Sequence, residues 1–454
     1  MNPRTRGIVA TALLVAAALA TAFVPELRPL GPSDGGESTA ASSGAWFCPH
    51  GGGTEWRTVL TLANPGAEPV AARITTYSED GRPRRSDLEV PSGATRQVVV
   101  EAPARESGSM VEYFGGWIAA GWVSRAGGDE RGVAAEPCLP ETATAWYLPD
   151  ASTVENEDDA VVLLNPFSVD AVVTLTLLTP GRDPTRTEAL TNVIVPARTA
   201  RTVRLGRTLL GEAAVSAIVD VSVGRVAAGI VAVTGATGIR ASIGAAGLPP
   251  TGVVLVGGDD SGRSDLVIVA PPDASPPLEA VLLGSGPEQP VAGLPDAELP
   301  PGSSRTFPVA TAPASAIVVG TAGVPIARRH VGRNGDDGSS IGVLPASAWV
   351  VLPTVVAGPF HAGIVLANPG ATAATVSLRP LGADVAPITV SVPARGAVAV
   401  PAAFADAVAD VGVLVVATSG TVVVAGASSS LGKDGRAAYA VANGVRIPGG
   451  FLPE

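Results

Sequence analysis

A fourfold internal repeat constrains this chain more than any other feature. Thr58-Val-Leu-Thr-Leu-Ala-Asn-Pro65, Val161-Val-Leu-Leu-Asn-Pro166 and Ile364-Val-Leu-Ala-Asn-Pro369 share one pattern, and Leu266-Val-Ile-Val-Ala-Pro271 keeps a degenerate form. Pro65, Pro166, Pro271 and Pro369 step by 101, 105 and 98 residues. A second marker follows each: Val90-Pro-Ser92, Val195-Pro-Ala197, Leu299-Pro-Pro301 and Val392-Pro-Ala394. A third precedes three of them: Trp46-Phe-Cys-Pro49, Trp146-Tyr-Leu-Pro149 and Trp349-Val-Val-Leu-Pro353. Three markers in register define one supersecondary unit used four times, with the third copy degenerate.

Each unit reads as short strands. In the second, Ala171–Leu178 alternates, with Val173, Leu175 and Leu177 on one face and Thr174 and Thr176 on the other. That period of two marks a half-buried strand. Ser216–Val223 and Arg225–Val233 make a hairpin around Gly224, and Asn-Pro pairs end strands. About seven strands with turns every 8–12 residues is the pattern of an immunoglobulin-like sandwich. A propeller blade, at about 40–50 residues, is too short for this period. The sequence therefore predicts an all-β chain of four tandem immunoglobulin-like β-sandwich repeats of about 100 residues, covering 45–141, 142–248, 249–346 and 347–454. Connections are short, so a stiff rod or a compact cluster is expected.

Residues 1–25 read as an export signal or membrane anchor. Arg4 and Arg6 precede an uncharged run from Ile8 to Val24. Ala18-Leu-Ala20 and Ala20-Thr-Ala22 fit a cleavage site, whereas the length sits at the short limit of a membrane span, so both fates stay open. Residues 26–44 read as a flexible linker. The expected location is extracytoplasmic, held at the plasma membrane through residues 8–24 or secreted after cleavage. Cys48 and Cys138, the only cysteines, fit an oxidising compartment and a disulfide closing the first unit.

Composition excludes several functions. A net charge of -11 disfavours nucleic acid, whose binding rests on basic patches. Gly31-Pro-Ser-Asp-Gly35 matches a nucleophile elbow formally but lies in the linker, without the strand and helix that motif needs. His50, His330 and His361 occupy different units. Acidic residues gather at Glu155, Glu157, Asp158 and Asp159, at Asp259-Asp260 and at Asp336-Asp337. Calcium is the ion such extracellular loops would take, but no EF-hand spacing is present and solvated loops are the simpler reading. No catalytic, cofactor-binding or metal-binding residue is assigned, and no cofactor is expected. Aromatics concentrate in the first unit. Aligning Ala119-Ala-Gly121 with Ala227-Ala-Gly229 puts Trp122 in the core and Trp117 opposite Arg225, at an exposed turn. Trp117, with Trp56, is thus the candidate contact surface, against a reading in which both are core residues.

A short Arg-marked apolar segment, then Trp-Phe-Cys-Pro, then tandem units with Asn-Pro and Val-Pro markers, resembles an uncharacterised actinobacterial family of exported, membrane-anchored proteins. The resemblance implies architecture and location and supplies no catalytic residues. The expected function is a non-enzymatic cell-envelope protein, a tethered binding or scaffolding module for envelope proteins or cell-wall glycans. Two alternatives stand beside it: an accessory subunit for envelope polysaccharide assembly, and an extracellular hydrolase with a site at a repeat interface.

Overall fold

The computed structural model describes residues 43–451 except 235–237, 258–262, 273–276, 295–298, 310–313, 332–336, 356–359, 432–436 and 450. The export segment, nearly all of the linker and the Asp259-Asp260 pair lie outside the described residues. Ser43 and Gly44, expected in the linker, already belong to a strand. Among the described residues, no helix is long and apolar enough to cross a membrane.

The chain is all-β. The first unit holds eight strands: Ser43–Cys48, Trp56–Asn64, Val70–Ser78, Arg84–Val90, Ala94–Val100, Ser107–Phe114, Ala119–Ala126 and Gly132–Pro137. The first, sixth, third and fourth make one antiparallel sheet, and the fifth, second, seventh and eighth make the other. The same two orders recur in all four units. Units two and four each add a two-residue strand, Ala245–Ala246 and Val445–Arg446, beside the first strand. Second-with-fifth and third-with-sixth pairings are also those of an immunoglobulin domain. Here an eighth strand is added, and the first, fourth and seventh strands lie on the sheet opposite to their place in a constant-type immunoglobulin domain.

Two side chains explain why the sequence markers keep their spacing. Asn165 of the Asn-Pro marker donates to the carbonyls of Val169 (2.8 Å) and Val195 (3.0 Å), and accepts from the Phe167 N–H at 3.1 Å. Val195 is the valine of the Val-Pro marker. Asn64 bonds Val90 and Asn368 bonds Val392 in the same way. The buried amide therefore ties the end of the second strand to the end of the fourth, across the two sheets. In unit three Ala270 stands in that place and has no side-chain amide to make the tie; its N–H bonds Ser303 O at 2.8 Å, continuing the ladder to the fifth strand within one sheet. The tryptophans form a second tie. The indole N–H groups of Trp46, Trp146 and Trp349 donate to Ile118, Val226 and Val422 O at 2.8, 2.9 and 2.9 Å. Each acceptor opens its unit's seventh strand, on the opposite sheet.

The four units close into a ring. The sheet carrying the first strand of each unit packs on the sheet carrying the second strand of the next: one on two, two on three and three on four. Unit four then packs on unit one, where Thr95 Oγ1 donates to Leu381 O and accepts from the Gly412 N–H, both at 2.8 Å. The eighth strands, Gly132–Pro137, Gly238–Ile243, Asp337–Ile341 and Ala437–Asn443, touch one another in the same cyclic order and form the hub. A head-to-tail contact that closes after four copies leaves no unsatisfied copy of the interface.

Closure changes the expected burial. The Thr-bearing face of Ala171–Leu178 is not simply solvated, because its Leu178 packs with Ile218 against Val269 of unit three. Acidic positions are recruited as well. Asp159 lies in the second strand of unit two and Asp337 in the eighth strand of unit three, both buried. Arg240 joins them across the two units, with Nη2 at 3.2 Å from Asp159 and Nη1 at 2.9 Å from Asp337. Arg329 also binds Asp337, at 2.9 Å. Burial pushes Asp159 up to about 7, with Arg240 opposing the rise.

Replacing Asn165 by Ala strands the carbonyls it satisfies. The Asn165→Ala protein is expected to lose about 2–4 kcal/mol, since each buried group left unpaired costs about 1–3 kcal/mol. Chemical denaturation of the full chain measures this, and an unchanged midpoint would show that the repeat marker has no structural role.

Candidate functional site

Of the residues singled out in the sequence, Cys48, Cys138 and Trp117 meet at one end of the hub. Each eighth strand ends there, and after the first three the chain crosses to the next unit. Cys48 and Cys138 are bonded and buried. The bond joins the first strand to the residue after the eighth, hence one sheet of unit one to the other. Comparison among units explains the pair. The position of Cys138 is taken by Gly244, Gly342 and Gly444 in the other units, and that of Cys48 by Leu148, Leu255 and Val351. A Cβ on Gly244 would stand 2.9 Å from Leu148 Cδ2. Elsewhere a large side chain fills the space and glycine yields it, whereas in unit one two sulfurs share it.

Around this end lies an axial pocket of about 630 Å³. Its lining comes from all four units. Trp46, Tyr113, Trp117 and Cys138 belong to unit one, Trp146 to unit two, Val253 and Leu344 to the third unit and its exit, and Trp349 and Arg446 to unit four. Val253 stands in unit three where the other units have tryptophan. The walls are mostly apolar. Leu248 and Leu344 reach the surface at 49% and 36% exposure, and Glu141 and Arg446 are the charged residues lining the pocket.

Trp117 departs from expectation. It is only 6% exposed and packs edge-on against Trp46, ring centres 6.1 Å apart. The hairpin of unit one has one residue more than that of unit two between its left-handed glycine, Gly115 or Gly224, and the seventh strand. The extra residue turns Trp117 inward, to a place Arg225 does not reach. Trp117 is therefore a pocket wall and not an exposed platform.

Trp56 lies elsewhere and does not join Trp117. Its indole N–H donates to Glu130 Oε2 at 2.6 Å, and the Arg105 guanidinium lies over its ring at 4.5 Å. Arg105 Nη2 also donates to Glu130 Oε1, at 2.6 Å. Beside this triad is an open polar cleft of about 770 Å³, lined by Glu55, Arg105, Glu106, Glu130 and, from unit two, Arg204. Arg105 covers one face of the indole, so that face is not free to stack on a ligand.

The histidines occupy separate places. His50 is buried in unit one, its Nδ1–H donating to Gly51 O and its Nε2 accepting from Ser109. Burial lowers it to about 4. His330 is buried in unit three and held well below its ordinary value by burial and by Arg328. His361 is on the surface of unit four, 3.9 Å from Asp406. Among the described residues, no group of three His, Cys, Asp or Glu is placed to hold a metal ion.

A family of unknown function, DUF5719, matches residues 113–363, more than half of the chain. The chain belongs to this family. The match runs from the sixth strand of unit one to the second strand of unit four, so DUF5719 spans the pocket-forming crossings between successive units. No curated protein matches the chain. Among solved structures, a tetra-tandem repeat from the extending region of a large adhesion protein is 13% identical, over 89% of this chain and 100% of that one, with a TM-score of 0.11. A structure concerned with host cell surface retention of a 1.5-MDa bacterial ice-binding adhesin is 14% identical, over 73% and 90%, with a TM-score of 0.10. TM-scores this low superpose neither fold on this one.

The glycine and leucine of the other units define a substitution test. Cys48→Leu with Cys138→Gly should keep the packing of unit one and lose only the cross-link, about 4–5 kcal/mol for a loop of this size. Cys48→Ser with Cys138→Ser should be less stable still, by about 1–3 kcal/mol, because it buries two hydroxyls. Denaturation midpoints of the two double variants, compared with each other and with the parent, check the order.

Proposed function

We propose that this DUF5719 protein is a non-enzymatic binding module of the cell envelope, exported and tethered by residues 8–24, that takes an apolar segment of an envelope protein in its axial pocket. The pocket carries the reading. It is of ligand-binding size, its lining is mainly aromatic and aliphatic, and Leu248 and Leu344 hold apolar surface at its mouth. Exposed apolar surface of this kind marks contact sites. An apolar lining favours a polypeptide or another apolar partner over a glycan, whose hydroxyls need convergent polar groups. The disulfide suits an oxidising compartment, and the closed ring suits a rigid scaffold, since pocket walls drawn from four units move little when a partner binds.

A photo-crosslinking residue at position 344 in the full-length protein, used in its own envelope, should label one envelope protein. The same residue at Glu89, on the outer fourth strand of unit one, should not. Equal labelling at both positions, or labelling of glycan only, would overturn the reading. In solution, the dye anilinonaphthalene sulfonate, an anion with an apolar aromatic body, should bind the native protein through that body, and Leu344→Ser, which removes apolar surface without adding charge, should weaken it about tenfold, a loss of about 1.4 kcal/mol.

A further inference from the structure

One hub residue departs from its counterparts in a way that neither the repeat nor the pocket requires. Glu136 is paired with Trp122 across the seventh and eighth strands of unit one. The corresponding residues are Ser242 opposite Ile230, Ser340 opposite Arg328 and Ala442 opposite Gly426. Three units thus carry a small side chain where unit one carries a carboxyl group. Glu136 is 2% exposed, and neither carboxyl oxygen has a hydrogen-bond partner. The Ile243 N–H of unit two eases a negative charge on Glu136, against the larger effect of burial. Pro137 and Cys138, which follow Glu136, and Ile243 and Gly244 of unit two line the axial pocket. Glu136 therefore sits behind the wall where units one and two meet.

We propose that Glu136 is a pH-responsive element of the hub: in its neutral form it packs the contact between units one and two, and on ionisation it loosens that contact and the pocket wall formed there. The consequence for ligands rests on the pocket reading above; the consequence for the hub does not. A carboxylate removed from water without a partner is costly, so the neutral form is the one this packing accommodates. Burial accordingly holds the Glu136 carboxyl well above the usual carboxylate range. The charged and titratable groups on the elements packed against the eighth strand are Arg125 on the seventh strand, Arg240 on the eighth strand of unit two and Tyr439 on that of unit four. Arg240 is committed to Asp150, Asp159 and Asp337. Burial is the largest cause of the raised Glu136 value, and the Ile243 N–H opposes it. His50 lies behind Trp122, ring centres 6.1 Å apart, and is neutral above about 4.

The sign follows from linkage. Glu136 gives up its proton more readily in the unfolded chain than in the folded one. Its contribution is therefore fully present below the ordinary carboxylate range and is lost as pH rises toward its own folded value. The test compares the parent with Glu136→Ser, the residue of units two and three, and with Glu136→Gln. Thermal midpoints are read from about pH 5 to about pH 9, a range that starts just above the ordinary glutamate value. The contributions of His50 and Asp159 are common to all three proteins and cancel in the difference. Both variants should gain on the parent as pH rises, by several degrees across the range, and anilinonaphthalene sulfonate should lose affinity for the parent alone over the same interval. A gap that opens while no dye binds at any pH supports the hub element and overturns the pocket reading. A gap that stays constant overturns the hub element, and dye binding at every pH would then leave the pocket reading standing.

Discussion

Everything in this molecule depends on the packing of each unit's first-strand sheet against the next unit's second-strand sheet, repeated until it closes. A lone sandwich hides one face of each sheet and wets the other. Here most sheets are covered on both faces, which is why a chain only 16% charged and 46% hydrophobic stays folded without a large aromatic core. Closure also dictates side-chain size at the hub. A Cβ on Gly132 would stand 2.4 Å from the Ile239 nitrogen, and one on Gly338 would stand 2.9 Å from the Tyr439 ring. Strands this close admit glycine, alanine and serine at the contact positions, and these three types make up 13 of the 24 residues of the eighth strands. The wealth of small residues is thus a consequence of ring geometry and not of disorder.

The parts of the fold legible in the sequence are those held by contacts within one unit. Asn165 and Val195 are 30 residues apart, yet one hydrogen bond joins them, so their spacing cannot drift without breaking it. The tryptophans are fixed the same way, by carbonyls at the start of the seventh strand. Strand alternation and the all-β class follow from local pattern. What the sequence could not disclose is the contact between units, because nothing in one repeat says which face meets the next. Asp159 and Asp337 look like members of solvated acidic loops until ring closure brings Arg240 between them. Trp117 was misplaced for a smaller reason, a single extra residue in one hairpin, which the spacing from Gly115 to Ala119 records but an alignment anchored at Ala119 does not. Of the candidate site, the cysteine pair is readable from count and compartment, whereas a pocket assembled where four separated eighth strands end has no local signature.

Buried charge shows how unit three survives without the usual markers. It lacks both the asparagine and the tryptophan ties. In their place Arg328, fully buried, donates to Ser264 Oγ and to Ser315 Oγ and O, linking the two sheets by a different route. Burial lowers Arg328 to about 10, still charged at neutral pH, and neutral oxygens alone solvate it. Its neighbours supply the rest: Asp337 is held by Arg240 of unit two, and Asn443 of unit four donates to Ile341 O at 2.8 Å. A unit enclosed on both sides can lose its internal ties and keep its shape, because two interfaces do the work that the markers do elsewhere.

The same logic sorts the departures from the repeat. Residues that obey the repeat are accounted for by folding, and residues that break it without helping the ring need another reason. Unit three departs furthest, through the ties it lacks and replaces; unit one carries four departures of a different kind. Its hairpin is longer and turns Trp117 into the axial pocket, its crossing carries sulfur in place of glycine, its eighth strand buries an unpartnered carboxyl group, and its rim holds the Trp56, Arg105 and Glu130 cluster. Three of these four departures border the same pocket. A contact at this end, as proposed above, would account for those three, and the disulfide fixes the geometry of the unit that carries them.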